Sequence, residues 1–208
     1  MSKKDSSRHE HVCSCHHVSR RDFLAGMALA GSGLVLPGNS SANSIQQLSG
    51  SVFVNRRYAA VGTPVNPGDM VTVAHGGTAA FTIGEDAYLL RGGTTMLIET
   101  GNSALIQGLR LLAGAVLGVF GKGDKRITTR TATVGIRGTG LYLDTAPDKT
   151  YFCTCYGETE LRVDNMKPRV FYATHHNDVM IYTPPDGDNR INNMSGFEYH
   201  TDDELRAT

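Results

Sequence analysis

The sequence predicts an all-β protein of short strands, wound as a compact sandwich or solenoid. Three observations carry that expectation. Glycine is abundant, 24 of 208 residues, and tryptophan is absent; glycine weakens helix interiors and favours turns. Turn signals recur at Asn66-Pro67-Gly68-Asp69, Gly76-Gly77, Gly84-Glu85-Asp86 and Gly92-Gly93. Between them lie runs that favour β structure, such as 70–74, 79–83 and 94–98, and no helical periodicity appears beyond the leader.

In chain order, the first element is a leader. Ser19, Arg20, Arg21, Phe23 and Leu24 directly precede a moderately apolar segment rich in alanine and glycine. This resembles the twin-arginine (Tat) export signal, S-R-R-x-F-L, with Ala25 where a lysine is frequent. The apolar segment is shorter than the roughly 20 residues of a membrane span. Small residues in "SSA" at 40–42 place cleavage after Ala42. The resemblance implies a passenger that folds first, engages the Tat export machinery and reaches the periplasm, with no stable membrane span after cleavage. Residues 1–42 are then leader and 43–51 a linker. A β domain occupies 52–165, and 166–208 form a C-terminal strand extension with a histidine pair and polar tail.

A second apolar stretch, 103–123, contains Gln107, Arg110 and five glycines. That punctuation predicts two short strands, 109–112 and 115–120, joined near Gly114, rather than a membrane helix. Acidic and basic residues balance, 20 against 20. Nucleic-acid binding depends on phosphate neutralisation by lysine and arginine, so a nucleic-acid partner is not expected.

Two stretches carry a family resemblance. "VGTPVNPGDMVTVAHGGTAAFTIGEDAYLLRGGTTMLIE" resembles the opening of a FecR domain, and "ITTRTATVGIRGTGLYLD" (127–144) resembles that family's most characteristic piece. Order and spacing match over about residues 52–163, and the resemblance implies a compact all-β domain. Within the motif stand Gly135, Arg137, Gly138 and Thr139. Its glycines permit turn or bulge geometry. Arg137 either pins a bend through its guanidinium fork or grips an anionic ligand, and the structural role is favoured. FecR regulators of iron-transport transcription place a sigma-binding segment before their membrane helix. Only nineteen residues precede the twin arginine here, so neither sigma regulation nor the iron ligand carries over.

The chemistry centres on "YFCTCYGE" (151–158). Residues two apart in an extended chain face one side, so Cys153 and Cys155 present their sulfurs together. A disulfide across C-x-C would be strained, because the Cα separation is at the upper limit for a bridge. The remaining readings are a buried packed pair, a redox-active dithiol, and ligation of a transition metal, zinc or copper. His175 and His176 follow. If 157–163 is a return strand and 170–174 a third, one histidine reaches the cysteines; neighbouring strand residues face opposite ways, so at most one does. No C-x-x-C-H is present for covalent haem.

Other candidates are weaker. His9, His11, Cys13, Cys15, His16 and His17 crowd the leader, and such tracts can bind metal, but cleavage would remove them. Asp186 and Asp188 read as a polar turn, and His75 and His200 stand alone. No nucleophile elbow, P-loop or H-E-x-x-H occurs. The expectation is a non-enzymatic binding or interaction module in the periplasm, with an unidentified protein or small-molecule partner. The alternative is a small metal-binding or redox protein using the C-x-C pair and a nearby histidine.

Overall fold

The structure is a computed structural model, which describes residues 43–100, 106–184 and 188–194. The export motif (Ser19, Arg20, Arg21, Phe23, Leu24), the cleavage position, the leader Cys/His tract, Asp186 and His200 lie outside the described residues. Fourteen strands form the described part: β1 Ser44–Ser49, β2 Val52–Val54, β3 Arg57–Tyr58, β4 Met70–Val73, β5 Thr78–Ile83, β6 Asp86–Arg91 and β7 Thr95–Thr100, then β8 Ile106–Val119, β9 Asp124–Thr128, β10 Thr133–Thr145, β11 Lys149–Arg162, β12 Arg169–Ala173, β13 Asn177–Tyr182 and β14 Arg190–Asn193. The expected class is therefore what is found, and the expected turns fall between β4, β5, β6 and β7. Residues 44–49 are not a linker but a strand paired to β5. The C-terminal strands likewise continue the same sheet through β11.

All strands join one open, mixed sheet, in which β8 and β9 are the parallel pair. Three long strands, β8, β10 and β11, turn that sheet into two layers. The first half of β8 pairs with β7 and β9, and its second half pairs with β6 and β10. One layer runs β3-β2-β4-β7-β8-β9-β10-β11-β12; the other runs β1-β5-β6-β8-β10-β11-β13-β14. Alternate side chains of both layers enter one core, including Val71, Met96, Ile98, Leu109 and Ile136 from the first and Phe81, Tyr88, Leu143 and Phe152 from the second. Their near-complete burial requires a layer on either side.

The second layer also has an apolar outer face. Ala80, Ala87, Leu117, Tyr142, Tyr151, Cys153, Cys155 and Met180 form a separate buried cluster there. Period-two alternation explains the split: Phe152 enters the central core, and its neighbours Tyr151 and Cys153 face outward.

The stretch expected as two short strands is one strand, β8, that changes partners at Gly114. Gly114 has φ +79°, and a Cβ there would stand 2.6 Å from the Thr94 Cα. The chain therefore bends close against Thr94 without reversing. The Thr94 hydroxyl completes the bend by accepting from the Ala115 N–H at 2.9 Å and donating to the Ala115 carbonyl at 3.0 Å.

Candidate metal centre

β11 supplies both cysteines, and irregularities on its two flanks set their geometry. Along β10, Gly140 pairs with Tyr156 and Leu141 with Thr154, which leaves Cys155 as an extra, bulged residue. Along the other flank, β12 and β13 follow one another as nearly one strand. Gly157 pairs with Ala173 and Thr154 with Asn177, so residues 174–176 face only 155 and 156. Bulges re-aim side chains that strict alternation would fix. Here the second bulge turns His176 toward the sulfurs. Its backbone takes φ +35°, in the left-handed region, and its N–H donates to the Cys155 carbonyl at 2.9 Å. A non-glycine residue held there needs its surroundings to hold it, a pattern that concentrates at functional sites.

The result is a three-donor cluster. The Cys153 and Cys155 sulfurs and a His176 ring nitrogen lie within 4.8 Å of one another, and Cys153 Sγ is 3.3 Å from His176 Nδ1. In a tetrahedral zinc site, Zn–S of ~2.3 Å and Zn–N of ~2.0–2.1 Å set donor separations of about 3.5–3.8 Å. The donor set fits a zinc- or copper-sized ion after movements of an ångström or less. No disulfide links Cys153 and Cys155, and both are buried, at 0% and 1% exposure. His175 lies beside the cluster rather than in it, its ring centroid 4.8 Å from that of His176. The return strand differs from expectation: 157–162 continue β11, because Gly157 (φ +91°) makes a bulge where a turn was expected. The chain reverses only after Arg162, and β12–β13 bring the histidines back.

Three residues that sequence reasoning missed, Asp178, Tyr151 and Tyr156, flank the cluster. Asp178 pairs with Cys153 across the β11–β13 ladder, and it accepts a hydrogen bond from the Tyr151 hydroxyl at 2.9 Å. Burial first, then the neighbouring Cys153 sulfur and the bond to Asp178, push the Tyr151 phenol well above its usual range. Tyr151 therefore stays a donor that fixes the Asp178 carboxylate. Tyr156 is likewise pushed up by burial and by Cys155.

The family-motif residues divide between the two faces. Gly138 (φ +62°) makes the β10 side of the irregular region, and a Cβ at Gly140 would stand 2.3 Å from the Tyr156 ring. These glycines make room for the bulge that carries Cys155. Thr139 is fully buried, and its hydroxyl has no hydrogen-bond partner among the described residues. An orphaned buried hydroxyl costs about 1–3 kcal/mol. Thr139→Val is accordingly expected to raise stability by about 1 kcal/mol, readable as a higher urea midpoint with an unchanged slope. Arg137 is not folded against a bend. It is 70% exposed, with Nε 3.4 Å from the Asp124 carboxylate on β9. Of the weaker candidates, Asp188 pairs with Arg190 at 3.0 Å, and His75 is exposed in the turn before β5.

No protein-family model matches the chain, and comparison with curated proteins also finds no match. Solved structures do resemble it. Two crystal structures, at 1.65 and 2.50 Å, of a candidate anti-sigma factor from Parabacteroides distasonis ATCC 8503 each superpose with a TM-score of 0.51 at 15% identity. Each match covers 60% of this chain and 59% of that one, so the chain spans less than two thirds of its structural neighbour. The likeness is one of fold, and at that level it agrees with the FecR-like pattern in the sequence.

Proposed function

We propose that this protein is an exported, non-enzymatic binding module on a FecR-like β scaffold, and that Cys153, Cys155 and His176 hold a transition-metal ion in it. The convergence of three donor atoms within 4.8 Å carries the reading. The ion would join β11 to the β12–β13 connection, where the hydrogen-bonded ladder is interrupted and a cross-link adds most. Thiolate and imidazole donors together suit zinc or copper. When bound, the ion supplies structural cross-linking and a polarised coordination position; the protein supplies a dry, pre-shaped set of donors beside the Tyr151–Asp178 pair. Recognition of a periplasmic protein or small molecule would use the faces and edges that the cross-link rigidifies.

The test is metal analysis of full-length protein expressed from its own leader and recovered from the periplasm without added metal. One equivalent of zinc or copper is expected in the wild type, with less than a tenth retained in Cys153→Ser and in Cys155→Ser. Metal-free wild-type protein with the thermal midpoint of the serine variants would reduce the cysteines to packing. Absence of the protein from the periplasm would remove the export half of the reading.

A further inference from the structure

The outer face of the first layer holds a hollow of about 380 Å³ over β9, β10 and β11, lined by Arg126, Gly135, Arg137, Glu158, Glu160 and Arg162 among others. It lies in the other layer from the sulfurs. Register fixes its layout: Arg126, Gly135, Glu160 and Val170 form one row, and Asp124, Arg137, Glu158 and Tyr172 the next.

Gly135 is the informative residue. Gly138 and Gly140 have backbone or packing reasons to be glycine; Gly135 has neither. Its φ is not in the left-handed region, and a Cβ there would meet nothing closer than Glu160 at 3.7 Å, an ordinary contact. Mid-strand glycine weakens a sheet and marks places where a ligand or another backbone approaches closely. The fold places no constraint on Gly135 that requires glycine, whereas an occupant approaching the strand in the hollow would.

The walls define that occupant. Arg137 and Glu158 are directly opposite in the ladder, yet their charged groups do not pair. Arg137 is paired at 3.4 Å with Asp124, but that carboxylate is 89% exposed, so the contact is open to solvent and a ligand can replace it. Glu158 has no ion-pair partner among the described residues. Arg162 is held by Glu160, Arg126 lies 3.8 Å from Glu99, and Lys125 is committed to Asp86. The Arg137 guanidinium and the Glu158 carboxylate thus stand side by side in one row without pairing, and Gly135 leaves open floor in the row next to them.

We propose that this hollow binds a zwitterionic group, with a carboxylate on Arg137, an ammonium on Glu158 and the ligand's backbone or stem over Gly135. Arginine's planar fork suits the carboxylate, and the volume suits an amino acid, a dipeptide or one mixed-charge turn of a longer chain. Val170 and Tyr172, both exposed, extend the same face beyond the hollow.

Amide chemical-shift titration of the isotope-labelled full chain tests this, with glycylglycine, capped acetyl-Glu-Lys-Glu-Lys-amide, succinate and 1,4-diaminobutane as separate probes. Shifts at Gly135, Arg137 and Glu158 with glycylglycine assign a free amino acid or small peptide. Shifts with the capped peptide alone assign a mixed-charge segment of a partner protein. Gly135→Leu is expected to keep or raise the thermal midpoint and to weaken binding at least tenfold, and Arg137→Gln should weaken it similarly. No response to either mixed-charge probe overturns the proposal. So does equal binding of succinate or diaminobutane, or unfolding of Gly135→Leu, which would make that glycine structural. Cys153→Ser should leave the titration unchanged, so this outcome is separable from that of the metal site.

Discussion

His176→Ala is expected to lose metal at least a hundredfold more readily than the wild type, whereas His175→Ala should bind it nearly normally. The two histidines are sequence neighbours of identical chemistry, so the contrast isolates geometry. Only the His176 nitrogen falls within 4.8 Å of both sulfurs. The bulge opposite Cys155 and Tyr156 selects it, since an uninterrupted strand would have set the phase of both side chains by alternation alone. Stability should follow occupancy. A ligand that binds only the folded state at about a thousand times its Kd adds about 4 kcal/mol. In a chain of this size that is a fall of roughly 10 °C in Tm on chelation. Calorimetry with and without chelator should show that fall in the wild type and in His175→Ala, and its absence in His176→Ala. Affinity should also weaken as pH is lowered, because thiols must lose protons to ligate. Equal behaviour of the two histidine variants would mean that neither ring is a ligand.

Local chemistry was legible in the sequence, and long-range pairing was not. The β class, the turns at Gly76-Gly77 and Gly92-Gly93, and the common orientation of Cys153 and Cys155 follow from residue types and a period of two. The error at Gly114 has the same source as the error at Gly157. A glycine between two β-favouring runs reads equally as a hairpin turn, a bulge or a bend, and only contacts with residues far along the chain decide. At Gly114 the decision comes from Thr94, pressed against the bend. At Gly157 it comes from Thr139, whose methyl would lie 2.4 Å from a Cβ there. The choice between His175 and His176 was hidden for that reason too, because the bulge that settles it exists only relative to β11. Asp178 gained meaning only through its register partner Cys153. Gly135 is the reverse case: the sequence placed it among motif glycines, and the structure separates it from them by showing no folding constraint on it.

Lys125→Met is expected to destabilise the fold by about 3 kcal/mol, because it strands a buried carboxylate. Asp86 opens β6 immediately after a glycine turn and in sequence looks like turn chemistry. In the fold its side chain is only 3% exposed and accepts three hydrogen bonds: from Lys125 Nζ at 2.6 Å, from the Gly121 N–H at 2.9 Å and from the Tyr88 hydroxyl at 3.0 Å. Burial, with the Asp86 charge beside it, pushes the Tyr88 phenol well above its usual range, so that bond persists at any ordinary pH. The neutral donors remain when the ammonium is removed, but they do not balance the charge. Asp86→Asn in the Lys125→Met background removes the uncompensated charge and should restore more than half of the loss. The single Asp86→Asn variant should suffer like Lys125→Met, with the ammonium now left unbalanced inside. Urea unfolding of the four proteins forms a double-mutant cycle. Additive losses would show that Asp86 and Lys125 act independently, with Asp86 held by its bonds from Gly121 and Tyr88 rather than by the ammonium.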